Sequence, residues 1–326
     1  MKAVTDRAVA YVTDRDFLVP TIVSAVQVRD QVVPEGLAEV LLFLVGLPDD
    51  EVDQVSRILA RLGLRAGRIP DLTLPPDTKF RKNHVTPASL ARLCLPGILD
   101  SRFRHIVYLD GDTQIVGDIR PLVRHCVRPG YIAAAQNSGW MSFEREKLFP
   151  ASYLNGIGVR SLRSYFNAGV LACTRETLDE MFPRALAFFL SHSEHCRYHD
   201  QSALNAVFAD RQEVLSPAYN FHTEYTHFDL QDDARIAILH FTGAPKPWLY
   251  EAGPWGDRFL PGYRKLVQAN PELLPYLPVP DSTRAATLAH QHRRKHLQYR
   301  RRLNRPLWLW RRAMFLGQMR SSRFAF

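Results

Sequence analysis

The first hundred residues alternate short apolar runs with segments of helical spacing, and few folds accept that pattern. Ala8 to Val12 reads as a strand, Pro20 to Asp30 as a helix, and Val40 to Val45 as a second buried strand. Asp49 to Leu62 reads as a helix with an acidic first turn, closed by Gly63 and Gly67. Such βα units give an α/β fold class with a mostly parallel central sheet. The next apolar run, Ile106 to Leu109, ends in Asp110-Gly111-Asp112. Open α/β sheets bind ligands at the carboxyl ends of their strands. Two hard carboxylates one residue apart can there hold a divalent cation against a diphosphate. Asp-Gly is equally a hairpin signal, so these residues alone leave both readings open.

Further along, Pro70 to Thr78 reads as a loop, and Thr86 as an N-cap with Pro87 opening a short helix to Leu95. Ile132 to Ala135 reads as a strand, followed by an irregular stretch from Gln136 to Tyr165 whose length suits a binding surface. A strand at Gly169 to Ala172, helices at Arg175 to Ser191 and Asp200 to Phe208, and a strand at Arg235 to His240 complete the body. Gly253 to Pro280 reads as a closing segment.

The hydrophobic content of 46% supplies a proper core for 326 residues. Cys94, Cys126, Cys173 and Cys196 form no C-x-x-C pair, so neither a zinc knuckle nor a disulfide framework is expected, and a reducing compartment is. Acidic and basic residues break the N-terminal apolar runs, and no stretch reaches about 18 uncharged apolar residues, so neither secretion nor membrane spanning is expected. The net charge of +9 resides at one end: from Ser282 to Phe326 there are twelve Lys and Arg and no acid, leaving thirty basic against thirty-three acidic residues before it. A domain built to neutralise phosphates carries its basic patch on the fold itself, so no nucleic-acid partner is expected. Residues 1–280 therefore read as one domain and 281–326 as a basic, aromatic tail.

Four segments taken together are far more specific: Tyr108-Leu109-Asp110-Gly111-Asp112, Phe166-Asn167-Ala168-Gly169-Val170, His199-Asp200-Gln201-Ser202-Ala203-Leu204-Asn205, and His240-Phe241-Thr242-Gly243-Ala244-Pro245-Lys246-Pro247-Trp248. In this order they resemble glycosyltransferase family 8, the retaining enzymes that include bacterial lipooligosaccharide galactosyltransferases and glycogenin. The resemblance runs from about Ala8 to Trp248 and includes Thr86 and Ala91-Arg92-Leu93. It implies a single GT-A (Rossmann-like) domain with a mixed sheet and a sugar nucleotide at the sheet's carboxyl edge.

It further implies Asp110, Asp112 and His240 as metal ligands; one imidazole among oxygens favours Mn²⁺ over Mg²⁺. Lys246 and Gly243 would meet the diphosphate. Trp248 would end a closing flap. Asp200 would bind donor hydroxyls and Gln201 would face the anomeric carbon, with Asn167 and Arg92 as further donor contacts. Asp200, Gln201 and Lys246 are thus the catalytic candidates. Thr13, Asp14 and Phe17 lie where the family binds the nucleoside, although Arg15 and Asp16 depart from its usual pattern there. A carboxamide is a poor nucleophile, which favours same-face substitution over a covalent intermediate. The expected partners are a UDP-sugar donor, a saccharide or lipid-linked saccharide acceptor meeting 136–165, and an anionic membrane. In the tail, Pro306 can open a helix with Leu307, Trp310, Met314 and partly Phe315 on one side and Arg311 and Arg312 on the other, suited to lying on an anionic bilayer; the resemblance implies the cytoplasmic face of the inner membrane, with which the basic, aromatic tails of the bacterial relatives associate. The alternatives are a sugar nucleotidyltransferase, which would carry a Gly-rich basic loop after strand one, and a noncatalytic adaptor on a degenerate fold.

Overall fold

Each apolar run of the N-terminal half is a strand covered on both faces, which is why it shows no polar alternation. The computed structural model describes residues 5–72, 74–76, 78, 88–232, 234–244, 246–249, 254–279 and 282–321. Strands β1 (Arg7–Thr13), β2 (Glu39–Leu44), β3 (Arg65–Arg68) and β4 (His105–Leu109) run parallel in the order β3-β2-β1-β4. Helices α1 (Leu18–Val32) and α2 (Asp49–Arg61) make the first two crossovers. Val9 and Tyr11 pack with Ile22, Val55 and Ile58 on one face. Ala8, Ala10 and Val12 pack with Leu93, Phe182 and Leu204 on the other. Each fully buried aliphatic or aromatic side chain contributes roughly 1.5–3 kcal/mol.

Beyond β4 the sheet becomes mixed. The short β5 (Thr113–Ile115) leaves it altogether, whereas β6 (Ile132–Gln136) and β7 (Phe166–Thr174) rejoin it. β7 lies antiparallel between β4 and β6, and β8 (Gln212–Leu215) pairs in parallel with β6. A second sheet of three strands sets β10 (Ile238–His240) between β5, antiparallel, and β9 (Phe221–His222), parallel. Asp110-Gly111-Asp112 is thus the step from one sheet to another, not a hairpin turn.

The short helix after the Pro-rich stretch is seen as α3 (Ala88–Ala91) and a 3₁₀ turn, Arg92–Gly97; the expected cap at Thr86 and Pro87 lies outside the described residues. α4 (Arg120–Arg124) follows β5. Three expectations are corrected. Gly67 does not close α2 but lies within β3. The stretch from Gln136 to Tyr165 is folded, with α5 (Arg145–Leu148), α6 (Ala151–Gly156), two 3₁₀ turns and its own apolar cluster of Phe149, Tyr153, Leu154, Ile157 and Tyr165. None of these helices exceeds six residues, too short for a period to show in sequence. The strand ending at His240 begins at Ile238, not Arg235.

Helices α7 (Arg175–Ser191) and α8 (His199–Phe208) cover the second face, and α9 (Leu260–Ala269) packs against α1 in the closing segment. The basic segment forms α10 (Ser282–Tyr299) and α11 (Arg305–Ser321). Both dock on the body: Tyr299 and Phe315 are buried in its main core. Arg311 Nη1 donates to the Met141 carbonyl at 2.7 Å, Trp308 Nε1 to that of His227 at 3.0 Å, and Arg312 to those of Phe228 and Asp229. Arg311 and Arg312 therefore face the protein, and Phe315 is buried against Phe221 and Tyr225 instead of sharing the outer side with Leu307, Trp310 and Met314.

Candidate active site

Register places the histidine. β10 pairs with β5 so that His240 lies opposite Thr113, and Phe241 N–H donates to the Asp112 carbonyl at 2.9 Å. His240 Nε2 then stands 3.1 Å from Asp112 Oδ1 and 3.7 Å from Asp110 Oδ2. One ligand atom from each of the three residues falls within a 4.8 Å cluster. His240 Nδ1 is bonded to Asn220 Oδ1 at 2.8 Å, so Nδ1 carries the proton and the Nε2 lone pair faces the carboxylates. The backbone opposite must be glycine: a Cβ at Gly169 would meet His240 Cε1 at 2.1 Å and Asp110 Oδ2 at 2.8 Å. The donor set and its close-fitting cradle suit a divalent cation.

Tyr108 and Asp110 alternate onto the same side of β4, and the Tyr108 hydroxyl donates to Asp110 Oδ1 at 2.9 Å. Arg92 lies beneath them, 2.7 Å from Asp110 and 3.1 Å from Asp200, with Nη1 donating to the Ala168 carbonyl at 2.8 Å. One buried guanidinium thus answers two carboxylates. Burial raises the Asp200 carboxyl to about 6 even against the opposing charge of Arg92. His199, at φ +46°, turns the chain into α8 and brings Asp200 and Gln201 to the cleft. Gln201 Oε1 accepts from Asn167 Nδ2 at 3.1 Å, and its Nε2 donates to the Tyr165 hydroxyl at 3.1 Å. Asn220 Nδ2 in turn donates to Asn167 Oδ1 at 2.9 Å. A hydrogen-bonded chain therefore runs from His240 through Asn220 and Asn167 to Gln201.

Lys246 Nζ donates to Asp112 Oδ2 at 2.6 Å and to the Phe241 carbonyl at 2.5 Å. Burial would raise Asp112, but Lys246 and His240 outweigh it and hold the carboxyl well below its usual range. Gly243 takes φ +69° in the loop that carries this lysine. Trp248 is buried edge-on to Phe17, with ring centroids 5.6 Å apart, so the end of the loop is pinned down. Asp14 Oδ1 accepts from Phe17 N–H at 3.2 Å, and Thr13 is buried beside them.

All twelve residues singled out from sequence (Thr13, Asp14, Phe17, Arg92, Asp110, Asp112, Asn167, Asp200, Gln201, His240, Gly243 and Lys246) line one cavity of about 830 Å³. Sequence reasoning missed Asn220, Tyr108, Tyr165 and Arg197. Asn220 sits in no recognisable motif, and nothing in the sequence signals its bond to His240. Tyr108 stood in the quoted motif and its i, i+2 spacing to Asp110 was available.

Residues 8–252 match the family model described as Glycosyl transferase family 8. Among curated proteins, the chain is similar to General stress protein A of Bacillus subtilis, 25% identical over 235 residues, covering 64% of this chain and 77% of that one. It is also 28% identical over 220 residues to Glycosyltransferase GlyE of Streptococcus pneumoniae serotype 4, covering 62% of this chain and 48% of GlyE, so it spans about half of that relative. Among solved structures, the fold matches the galactosyltransferase LgtC in complex with donor and acceptor sugar analogues, with a TM-score of 0.65 and 20% identity over 83% of this chain and 100% of LgtC. The bifunctional glycosyltransferase WbbM matches with a TM-score of 0.61 and 15% identity over 82% of this chain and 52% of WbbM.

Proposed function

The chain belongs to glycosyltransferase family 8, and from that premise we propose that it is a metal-dependent, retaining hexosyltransferase that moves a sugar from a UDP-sugar to a saccharide or lipid-linked saccharide. The observation that carries this reading is the convergence of Asp110, Asp112 and His240 from two sheets, beside Lys246, at the carboxyl end of β4. Asp110, Asp112 and His240 would hold Mn²⁺, which when bound supplies a Lewis acid for the departing diphosphate.

The remaining work belongs to side chains. Lys246 brings a compact positive charge to the phosphates, where charge grows as the sugar departs. Asp200, fixed by Arg92, accepts hydrogen bonds from donor hydroxyls, and Gln201 stabilises the positive anomeric carbon from the face opposite the leaving group. Asn167 orients Gln201 and touches the donor. Thr13, Asp14 and Phe17 receive the nucleoside, Asp14 by hydrogen bonding and Phe17 by stacking. With no carboxylate assigned as nucleophile, the acceptor enters on the face the diphosphate leaves, and the leaving phosphate takes its proton. Trapping a covalent sugar adduct on Gln201 or Asp200 would overturn that step.

The same reading puts the enzyme on an anionic membrane at its cytoplasmic face. Among the described residues, no helix is long and apolar enough to cross a bilayer. The outer face of α11 exposes Leu307, Leu309, Trp310 and Met314, with Arg301, Arg302 and Arg305 exposed at its N-terminal end. Apolar side chains flanked by cations suit an interface. Cosedimentation with phosphatidylglycerol vesicles is expected for the intact chain and should be lost in a Leu307→Ser, Trp310→Ser, Met314→Ser variant.

The deciding assay for transfer is UDP release from a panel of UDP-sugars with Mn²⁺, for the native protein and Asp112→Asn. Release that depends on metal and on Asp112 supports the proposal. No release with any donor would favour the adaptor.

A further inference from the structure

Gln201 stands where the metal-side cleft meets a second cavity, of about 500 Å³, and it lines both. The floor of the second cavity holds His222, Thr223 and His227, and its outer wall is α10, through Leu288, Gln291, His292 and Lys295. Lys295 pairs with Glu224 at 3.1 Å across it. An amide at such a junction has room to turn, and a glutamine has three rotatable bonds with which to do so. A single working orientation must therefore be held by the residues around it.

Two backbone N–H groups of β7 decide which way the amides point, because a backbone N–H can only donate. Ala168 N–H donates to Gln201 Oε1 at 3.2 Å, and Gly169 N–H donates to Asn167 Oδ1 at 2.9 Å. Asn167 Nδ2 then gives Gln201 Oε1 a second donor, and Asn220 Nδ2 gives Asn167 Oδ1 a second. Both lone pairs of Gln201 Oε1 are engaged, and its Nε2 is turned onto the Tyr165 hydroxyl at 3.1 Å. The Tyr165 oxygen must accept there. Its own proton is met by the Tyr153 hydroxyl at 2.8 Å, and the Tyr153 proton by Ser202 Oγ, also at 2.8 Å. The reverse order would leave the buried Tyr165 proton without an acceptor. Tyr198 N–H donates to the same Ser202 oxygen at 2.8 Å and holds the end of the chain. Burial raises both phenols above their ordinary range, so they stay protonated and the order does not titrate. Their rings are set in the apolar cluster of residues 149–165, that of Tyr165 edge-on to Phe149 with centroids 5.1 Å apart.

We propose that Tyr165, backed by Tyr153 and Ser202, is a positioning residue that fixes the Gln201 amide for transfer. This assignment rests on the transferase reading above, in which Gln201 faces the reacting carbon. It gives the folded stretch from Gln136 to Tyr165 a part in the chemistry: α6 carries Tyr153, the end of the stretch carries Tyr165, and neither phenol lines the two cavities. Without the Tyr165 hydroxyl, Oε1 stays anchored on Ala168 and Asn167 while Nε2 is released, so the amide pivots. The donor keeps Asp200, Lys246 and Asn167, so the loss falls on rate and not on donor binding.

The test uses the full chain, with UDP release from UDP-glucose, UDP-galactose and UDP-N-acetylglucosamine in Mn²⁺ as the kinetic readout. Tyr165→Phe should lower kcat about tenfold and shift the donor KM and the calorimetric UDP–Mn²⁺ affinity less than about twofold. Tyr153→Phe, which keeps the Tyr165 hydroxyl and removes its acceptor, should show the same split on a smaller scale. In a Gln201→Ala background Tyr165→Phe should change kcat less than about twofold, because the phenol acts only through the amide. A second readout needs no turnover. The Nε2 hydrogens of Gln201, assigned in ¹⁵N-glutamine-labelled protein by their loss in Gln201→Ala, should exchange with solvent severalfold faster in Tyr165→Phe. Unchanged exchange, or the same kcat loss with and without Gln201, would overturn the assignment. Faster exchange in a chain that releases UDP from none of the donors would instead overturn the transferase reading.

Discussion

Two cavities meet at Gln201, and they are built on opposite electrostatic principles. On the metal side Asp110, Asp112 and Asp200 each have a cationic or imidazole neighbour: Arg92 spans Asp110 and Asp200, and Lys246 and His240 flank Asp112. On the α10 side the imidazoles are neutral, and buried polar atoms of the floor lack partners among the described residues. A charged, fully paired site can exchange one ion partner for another, as a diphosphate and its cation require. The second cavity holds one ion pair, Glu224 with Lys295, among lining groups that are otherwise uncharged. The contrast separates a cleft dominated by paired charges from one lined mostly by uncharged polar groups.

The contrast can be broken most forcefully at the metal side. His240→Ala should lower UDP-sugar turnover by about 10²–10³-fold, the scale of removing a group that stabilises developing charge. It should also abolish the Mn²⁺ dependence; if that dependence survived unchanged, the ligand set would be wrong even with the fold right. Asn220→Ala leaves the ligands in place but releases the His240 tautomer, and it should weaken Mn²⁺ binding by about 10–100-fold in a calorimetric titration with UDP present. On the neutral side, Tyr299→Phe removes the hydroxyl that joins α10 to Glu224 and Ser142. It should cost about 1–3 kcal/mol in chemical denaturation.

Acid titration should separate the two regions by sign. Asp200 is raised to about 6, so between about pH 4 and 6 the unfolded chain has released a proton that the folded protein keeps, and stability from this group falls as pH rises. His227 and His292 are depressed, so below their ordinary 6.5 the unfolded chain binds protons the folded protein refuses, and stability falls as pH falls toward 4. Denaturation midpoints from pH 4 to 7 should therefore gain a steeper positive slope in Asp200→Asn and a flatter one in His292→Gln. Slopes that moved together would show that the two sites do not differ as described.

Much of the cleft was legible because its residues occur as short, ordered motifs at strand and helix ends. Asp110 and Asp112 end an apolar run, and Asp200 and Gln201 open a helix. The second cavity was not legible. Its floor residues, His222, Thr223 and His227, lie in a two-residue strand and a 3₁₀ turn, which carry no periodic signal. Its wall comes from a segment whose charge count pointed only to a membrane. Asn220 was likewise invisible, because its role exists only through a bond to a residue twenty positions away.

By itself, the sequence determined three of the four parallel strands, β1, β2 and β4, the two carboxylates at the end of β4 and the downstream motifs that answer them. Local spacing suffices there: hydrophobic period and strand ends are properties of neighbouring residues. Only the tertiary structure decided which rings meet which acids. The pairing of β10 with β5 sets His240 against Asp112, and the docking of α10 turns a basic tail into a cavity wall. Strand register and helix docking depend on contacts between residues more than sixty positions apart, and no local pattern records them.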